Sequence, residues 1–209
     1  MDSNTKSYII NNCREQILKE AKALNRVAEQ VDEEYIAACE AIFNCEGRVI
    51  VTGLGKTGHV GKKIAASLAS LGIPSFFVHS CESLHGDMGM ITKDDVVIMI
   101  SNSGKSSEIL NMIPALKIIG PKTISITKDK NSPLAKETDI RILCDAGEEI
   151  DHLGLAPTAS STAALAIGDA LATVVSSMKG FQREDFALCH PGGALGQQLL
   201  KEYTERVAQ

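Results

Sequence analysis

With 209 residues and 44% hydrophobic side chains, the chain is long enough for one sizeable core, and nothing in its length asks for a second domain. A formal net charge of −5 argues against nucleic acid or an anionic membrane as the main partner. No unbroken apolar run approaches the ~20 residues of a membrane span, and Met1-Asp2-Ser3-Asn4 lacks the features of a signal peptide, so the expected location is cytoplasmic.

Residues from about 8 to 44 read as two amphipathic helices broken near Val31-Asp32-Glu33. Leu18, Ala21, Leu24, Ala28 and Val31 form one apolar stripe, and Tyr35, Ile36, Cys39, Ile42 and Phe43 another. Each stripe needs a surface to pack on, either a sheet flank or, preferably, a neighbouring subunit. From Gly47 the rhythm alternates. Strands are expected at 48–52, 75–78, 96–100, 122–126 and 140–143, with helices at 60–71, 106–119 and 132–138. Continuous apolar strands between helices predict an α/β fold with a five-stranded parallel sheet, doubly wound and flavodoxin-like, with helices on both faces. A long Ala-rich helix from Pro157 to about Met178 follows, then a loop, and a closing helix from about Leu195 to Arg206. The expected organisation is a single domain over 1–209, with an N-terminal helical extension (1–46), an α/β core with its site loops (47–196) and a C-terminal helix (197–209).

Two stretches carry the chemistry. Ile100-Ser-Asn-Ser-Gly-Lys-Ser-Ser-Glu108 joins a strand to a helix through hydroxyl and amide side chains around one Gly. Unpaired N–H groups at a helix start, with Ser101, Asn102, Ser103, Ser106 and Ser107 beside them, make either a phosphate cup or a Ser-rich cap. Gly53-Leu-Gly-Lys-Thr-Gly58 is the second stretch, and two such turns at one switch point favour the cup. It matches the bare GxGxxG dinucleotide pattern, but Lys56 inside the turn points to a compact phosphate monoester. The Walker spacing is absent. Titratable candidates in loops are His85, Glu82, Glu148, Glu149, His152 and His190, with Glu108 one turn into the cup helix, while His59 and His79 read as structural. Cys13, Cys39, Cys45, Cys81, Cys144 and Cys189 show no metal-ligand pairing and read as reduced thiols serving as small apolar side chains.

Taken together, these stretches resemble the sugar isomerase (SIS) domain family, and within it the arabinose-5-phosphate isomerase branch. The matching strings are Gly53-Leu-Gly-Lys-Thr-Gly-His59, Pro74-Ser-Phe-Phe-Val-His79, His85-Gly-Asp-Met-Gly-Met90, Ile100-Ser-Asn-Ser-Gly104, Leu153-Gly-Leu-Ala-Pro-Thr158 and Phe186-Ala-Leu-Cys-His-Pro-Gly-Gly-Ala-Leu-Gly196. The resemblance implies reversible conversion of D-arabinose 5-phosphate and D-ribulose 5-phosphate through an enediol, feeding 3-deoxy-D-manno-octulosonate (KDO) synthesis for lipopolysaccharide or capsule. It implies no redox cofactor and a homotetramer with active sites shared between subunits; no cofactor is expected, and no residue is assigned to a metal. By position, Lys56, Glu108, Glu149 and His190 match the branch's catalytic residues, and His85 matches a ring-opening His. Thr57, Ser101, Asn102, Ser103 and Ser106, with Gly55 beside them, match its phosphate-binding positions.

On this reading Glu149 is the base, with Glu108 as its substitute, and partial burial should raise the Glu149 pKa. Lys56 would stabilise the enediolate, and His190 or His85 would open the ring or move the oxygen-bound proton. Three departures stand out. Lys105 occupies a cup position usually held by Glu, His152 stands where Pro is expected, and the chain ends at Gln209 without the regulatory cystathionine-β-synthase-type modules of many members. Feedback through such modules is therefore not expected. The alternatives are an isomerase of a hexulose or heptulose phosphate, a sugar-phosphate-sensing module without turnover, or a scaffold assembling through its terminal helices.

Overall fold

The computed structural model describes residues 1–207. Its sheet comprises β1 (Val49–Gly53), β2 (Ser75–His79), β3 (Val96–Ile100), β4 (Lys122–Thr127) and β5 (Ile140–Leu143). They run parallel in the order β2-β1-β3-β4-β5, the flavodoxin-like winding read from the sequence. β1 and β3 are buried along their whole length, as continuous apolar strands must be when helices cover both faces. Val49, Val51, Ile98, Ile124 and Ile142 belong to the core cluster on one face, and Ile50, Val97 and Met99 to that on the other.

The N-terminal helices are α1 (Ser3–Ala28) and α2 (Glu33–Phe43), the latter capped by the Asp32 carboxylate accepting from Glu34 N–H. α3 (Gly55–Ser70) and α8 (Ala159–Met178) lie side by side, with α1 and α2 packed on α8 and α2 also on β5. The shorter α4 (Ser80–Ser83), α5 (Ser107–Leu110), α6 (Ile113–Ile119) and α7 (Pro133–Glu137) complete the α/β part. α9 (Arg183–Cys189) and α10 (Ala194–Val207) pack chiefly on each other.

Several sequence expectations are corrected. The buried stripe of α1 is Ala23 and Val27 with Leu24 beside them, whereas Leu18 is exposed and so is Val31 beyond the helix, because the face packed against the core runs through Ala23 and Val27. On α2, Ala38 and Ile42 are buried while Ile36 and Phe43 are exposed. The helix expected at 106–119 is two, since Pro114 has no N–H to continue the ladder from Leu110. α3 begins at Gly55 rather than near Val60, which places Gly55, Lys56 and Thr57 in its first turn. α8 is long and apolar enough to cross a membrane by length and composition. Half of its residues are nevertheless buried in this fold, and the sequence reading missed it because Ser, Thr and Asp169 interrupt the apolar run.

Candidate functional site

Gly53 and Ile100 are register partners, so the turns that follow β1 and β3 leave adjacent strands about 5 Å apart. After β1, a Cβ on Gly53 would lie 2.8 Å from the Thr57 carbonyl oxygen, so only Gly lets the strand end touch the first turn of α3. Thr57 closes that turn itself. Its hydroxyl donates to the Leu54 carbonyl (2.8 Å) and accepts from Leu54 N–H (3.2 Å). The hydroxyl proton expected for phosphate is therefore already in use, and what this turn has to offer an anion is backbone N–H groups and the exposed Lys56.

After β3, the buried Ser101 accepts from Gly104 N–H (3.1 Å) and pairs with the Ser106 hydroxyl (3.2 Å). One of those two hydroxyls donates to the other, leaving a single proton free. Ser103 accepts from Lys105 N–H (3.2 Å), which leaves its own O–H to donate, and it is exposed. Gly104 has φ +63°, and a Cβ there would strike Ser132 at 2.5 Å, so the turn's shape depends on this Gly twice over. Asn102 lies at the crest of the same turn, its carbonyl accepting from Lys128 N–H (3.0 Å). These residues place two donor-rich turns side by side at the carboxyl ends of the central strands.

Glu149 reaches the same end of the molecule through α8. Ile64 of α3 and Gly168 of α8 touch, each the tenth residue of its helix, and Phe181 beyond α8 packs on Gly72 beyond α3. The two helices therefore run parallel with their N-termini level, about 8–10 Å between axes. Glu149 sits at the head of α8. Its Oε2 accepts from Thr158 N–H (2.8 Å), Thr158 Oγ1 (3.1 Å) and Ser160 N–H (3.2 Å), and its Oε1 from the Ser160 hydroxyl. Burial pushes the Glu149 carboxyl up, but these donors outweigh it and hold the group below the usual carboxylate range. The expectation of a raised pKa is corrected on that ground.

α4 packs on α5, which places the turn carrying the exposed His85 beside the helix carrying Glu108. Glu108 Oε2 accepts from the Ser107 hydroxyl (3.0 Å). His190 stands elsewhere. It ends α9, stacks on Phe186 (3.9 Å between ring centroids), and its Nδ1 lies 2.9 Å from the Phe186 carbonyl. A carbonyl only accepts, so Nδ1 carries the proton and a neutral ring presents Nε2 as its basic atom. The chain enters α9 through Phe181, packed at the end of α3, ~24 Å from Lys56 by helical rise. Among the described residues, no hydrogen bond or ring contact joins His190 to Lys56, the Ser101–Ser106 turn or Glu149. Gly55, Lys56, Thr57, Ser101, Asn102, Ser103, Ser106 and Glu108 thus follow the adjacent ends of β1 and β3, His85 lies on the turn after α4, which packs on α5, and Glu149 stands at the head of α8, whereas His190 lies beyond α9.

Sequence reasoning missed Thr158, Ser160 and Phe186. The first two were signalled by a Thr and Ser run at a helix start, the third by the i,i+4 spacing of Phe186 and His190 on a helix it did not foresee. Among the described residues, no cluster of three or more His, Cys, Asp or Glu side chains is placed to hold a metal ion. A cavity of about 890 Å³ between α1 and the loop after β5 is lined by Glu149, His152, Lys19 and Lys22 among others.

Residues 42–174 match the SIS domain. The arabinose 5-phosphate isomerase KdsD of Pseudomonas aeruginosa is 49% identical over 191 residues, 91% of this chain and 59% of that protein. The protein of the same name in Escherichia coli (strain K12) is 49% identical over 187 residues, 90% of this chain and 57% of its own length. The chain thus spans little more than half the length of these curated relatives. Among solved structures, one from E. coli CFT073 in complex with arabinose 5-phosphate superposes with a TM-score of 0.86 at 42% identity, covering 91% of this chain and 100% of that one. A putative sugar-phosphate isomerase from Listeria monocytogenes gives 0.87 at 32% identity, covering 92% and 100%.

Proposed function

The chain belongs to the SIS domain family, and from that membership we propose that it is an aldose–ketose isomerase interconverting D-arabinose 5-phosphate and D-ribulose 5-phosphate through an enediol. The observation that carries the proposal is a pair of donor-rich turns at the adjacent carboxyl ends of β1 and β3, with Glu108 in the helix that follows β3 and Glu149 at the head of α8, the helix packed beside α3. The likeness to relatives named for this activity, and to a chain solved with arabinose 5-phosphate, supports the choice of sugar.

In this reading the phosphate lies against Ser103, Asn102, the free proton of the Ser101–Ser106 pair and the N–H groups of Gly55, Lys56 and Thr57. Anchoring the remote phosphate fixes C1 and C2 and removes much of the entropic barrier. A carboxylate, Glu149 or Glu108, takes the proton from the carbon next to the carbonyl. Lys56 stabilises the enediolate oxygens, and His85 opens the ring or shuttles the oxygen-bound proton. His190 joins the site from a neighbouring copy, in keeping with a homotetramer that shares active sites. The reaction is redox-neutral, so the scheme needs no cofactor. The product would feed KDO synthesis, and the working location would be the cytoplasm.

The test is incubation of the protein in D₂O with pentose, hexose and heptose phosphates, with exchange at C2 followed by NMR. Exchange with arabinose 5-phosphate supports the proposal. Exchange only with a hexose or heptose phosphate reassigns the sugar, and binding without exchange makes the chain a sensor.

A further inference from the structure

We propose that Ser160 is a positioning residue for the isomerase, holding the Glu149 carboxylate so that Oε1 presents its one open lone pair to the substrate. The inference rests on the isomerase reading above and assigns a residue that the reading left out. Ser160 is buried and is the second residue of α8, and both its N–H and its hydroxyl reach the same carboxylate. Oε2 accepts from Thr158 N–H and Ser160 N–H, which occupy its two lone pairs, while the single proton of Thr158 Oγ1 is shared between this oxygen (3.1 Å) and the Ala156 carbonyl (3.2 Å). Oε1 takes only the Ser160 hydroxyl, so proton abstraction falls to this oxygen. In that step the C–H bond breaks, its proton forms an O–H bond on Oε1, and the electron pair passes to the enediolate. The proton returns from Oε1 to the adjacent carbon, and no further reactant is required.

The anchoring is backbone-deep. Two donors are N–H groups of the α8 head, so the carboxylate cannot swing without unmaking the cap. The same head is set level with Lys56 by the α3–α8 contact at Gly168. Lys19, Lys22 and Arg26 of α1 and Glu29 just beyond it line the adjoining cavity with Glu148, Asp151 and His152 of the carboxylate's own loop. Asp145 is paired to Arg26, Glu20 accepts from Thr162 in the first turns of α8, and the Cys144 thiol is pushed up to about 12 by burial and by the nearby Asp145 and Glu149 carboxylates.

The experiment is Ser160→Ala, read by the pH dependence of kcat/KM and by ¹³C NMR titration of the Glu149 carboxyl. Losing the hydroxyl donor should move the Glu149 titration and the acid limb upward together by about one pH unit, with KM on the plateau unchanged. Ser160→Thr should restore both, and His152→Gln should leave the limb in place. An acid limb that stays put while the NMR titration moves overturns the proposal, and so does a titration that does not move. Absence of turnover in the unaltered chain overturns the isomerase reading instead, and shows before any variant is made.

Discussion

Gly168→Ala tests the packing that sets the site's two helix heads side by side. A Cβ at this position would overlap both Cγ1 and Cδ1 of Ile64 and lie 2.8 Å from Cγ2. Ile64 is fully buried and β-branched, so its χ1 in a helix is fixed and it has nowhere to turn. Two effects oppose each other. Replacing Gly by Ala inside a helix ordinarily gains about 1 kcal/mol of helix propensity. Forcing a methyl group into a filled contact costs about 1–3 kcal/mol. An overlap with two atoms of a side chain that cannot turn away takes the upper part of that range, so the net loss is about 1–2 kcal/mol and a domain of this size melts roughly 2–8 °C lower. Calorimetry on four proteins reads this out: the unaltered chain, Gly168→Ala, Ile64→Ala and the double variant. Ile64→Ala alone should cost about 2–5 kcal/mol by opening a cavity. In its background Gly168→Ala should change sign and stabilise, because the methyl group now fills space. A Gly168→Ala protein that melts higher than the parent would refute the close contact, and with it the level placement of Glu149 and Lys56.

The remaining predictions address the site. Glu149→Gln should cost about 1–2 kcal/mol near neutral pH through loss of the α8 cap. Because folding lowers the Glu149 pKa, its stabilisation is present above the unfolded value and fades as pH falls through the folded one, so the melting-temperature gap should close in acid. A gap that is the same at pH 7 and pH 4 would show that the carboxylate contributes nothing as a charge. Ser103→Ala should raise KM about tenfold with no change in melting temperature, whereas Ser101→Ala should lower stability by about 1 kcal/mol, since it removes the buried partner of Ser106 and Gly104. Melting curves and saturation kinetics separate the two. Lys56→Ala and His190→Ala chains should each be inactive, and mixing them by co-refolding at equal amounts should recover about a quarter of full activity, the fraction of shared sites with both residues intact. No recovery would place His190 outside the site.

The five strands were readable because each is a short, continuous apolar run bounded by turn residues, and a strand buried on both faces has few other ways to be written. The two turns after β1 and β3 were readable for a related reason: Gly and hydroxyl residues at a strand end have a strong local meaning. Failures came where tertiary contact overrode periodicity. α1 has apolar residues on more than one side, and only the position of α8 decides that Ala23 and Val27 go inside. The sequence pattern assigns no element to the stretch of α9 after the Lys179-Gly180-Phe181 loop, although Gln182 N–H donates to Asp185 (2.8 Å), a cap that the spacing of those two residues announces. The pKa of Glu149 went astray because burial was the visible half of its environment. The donors that outweigh it stand nine and eleven residues away, and the loop between brings them back.

The same contrast explains why the site is legible as chemistry but not as an enclosure. Each strand-end turn is shaped within a handful of residues, so its donors can be read off locally. The imidazole of His190 is fixed just as locally, by Phe186 four residues before it. What no local pattern reports is that the chain enters α9 through Phe181 at the far end of α3, and that α9 and α10 pack mainly on each other. Tyr8, Ile10, Ile17 and Leu18 of α1 are exposed as well, a run of apolar side chains with no cover from their own chain. A ring fixed to present a basic nitrogen, yet without a hydrogen bond to Glu108 or Glu149 among the described residues, fits a chain that completes its neighbour's site. The uncovered helix face supplies the apolar surface such an association needs. If mixed variants regain activity, both features have one cause; if they do not, the stacked imidazole is a helix end and the acid of the reaction is His85.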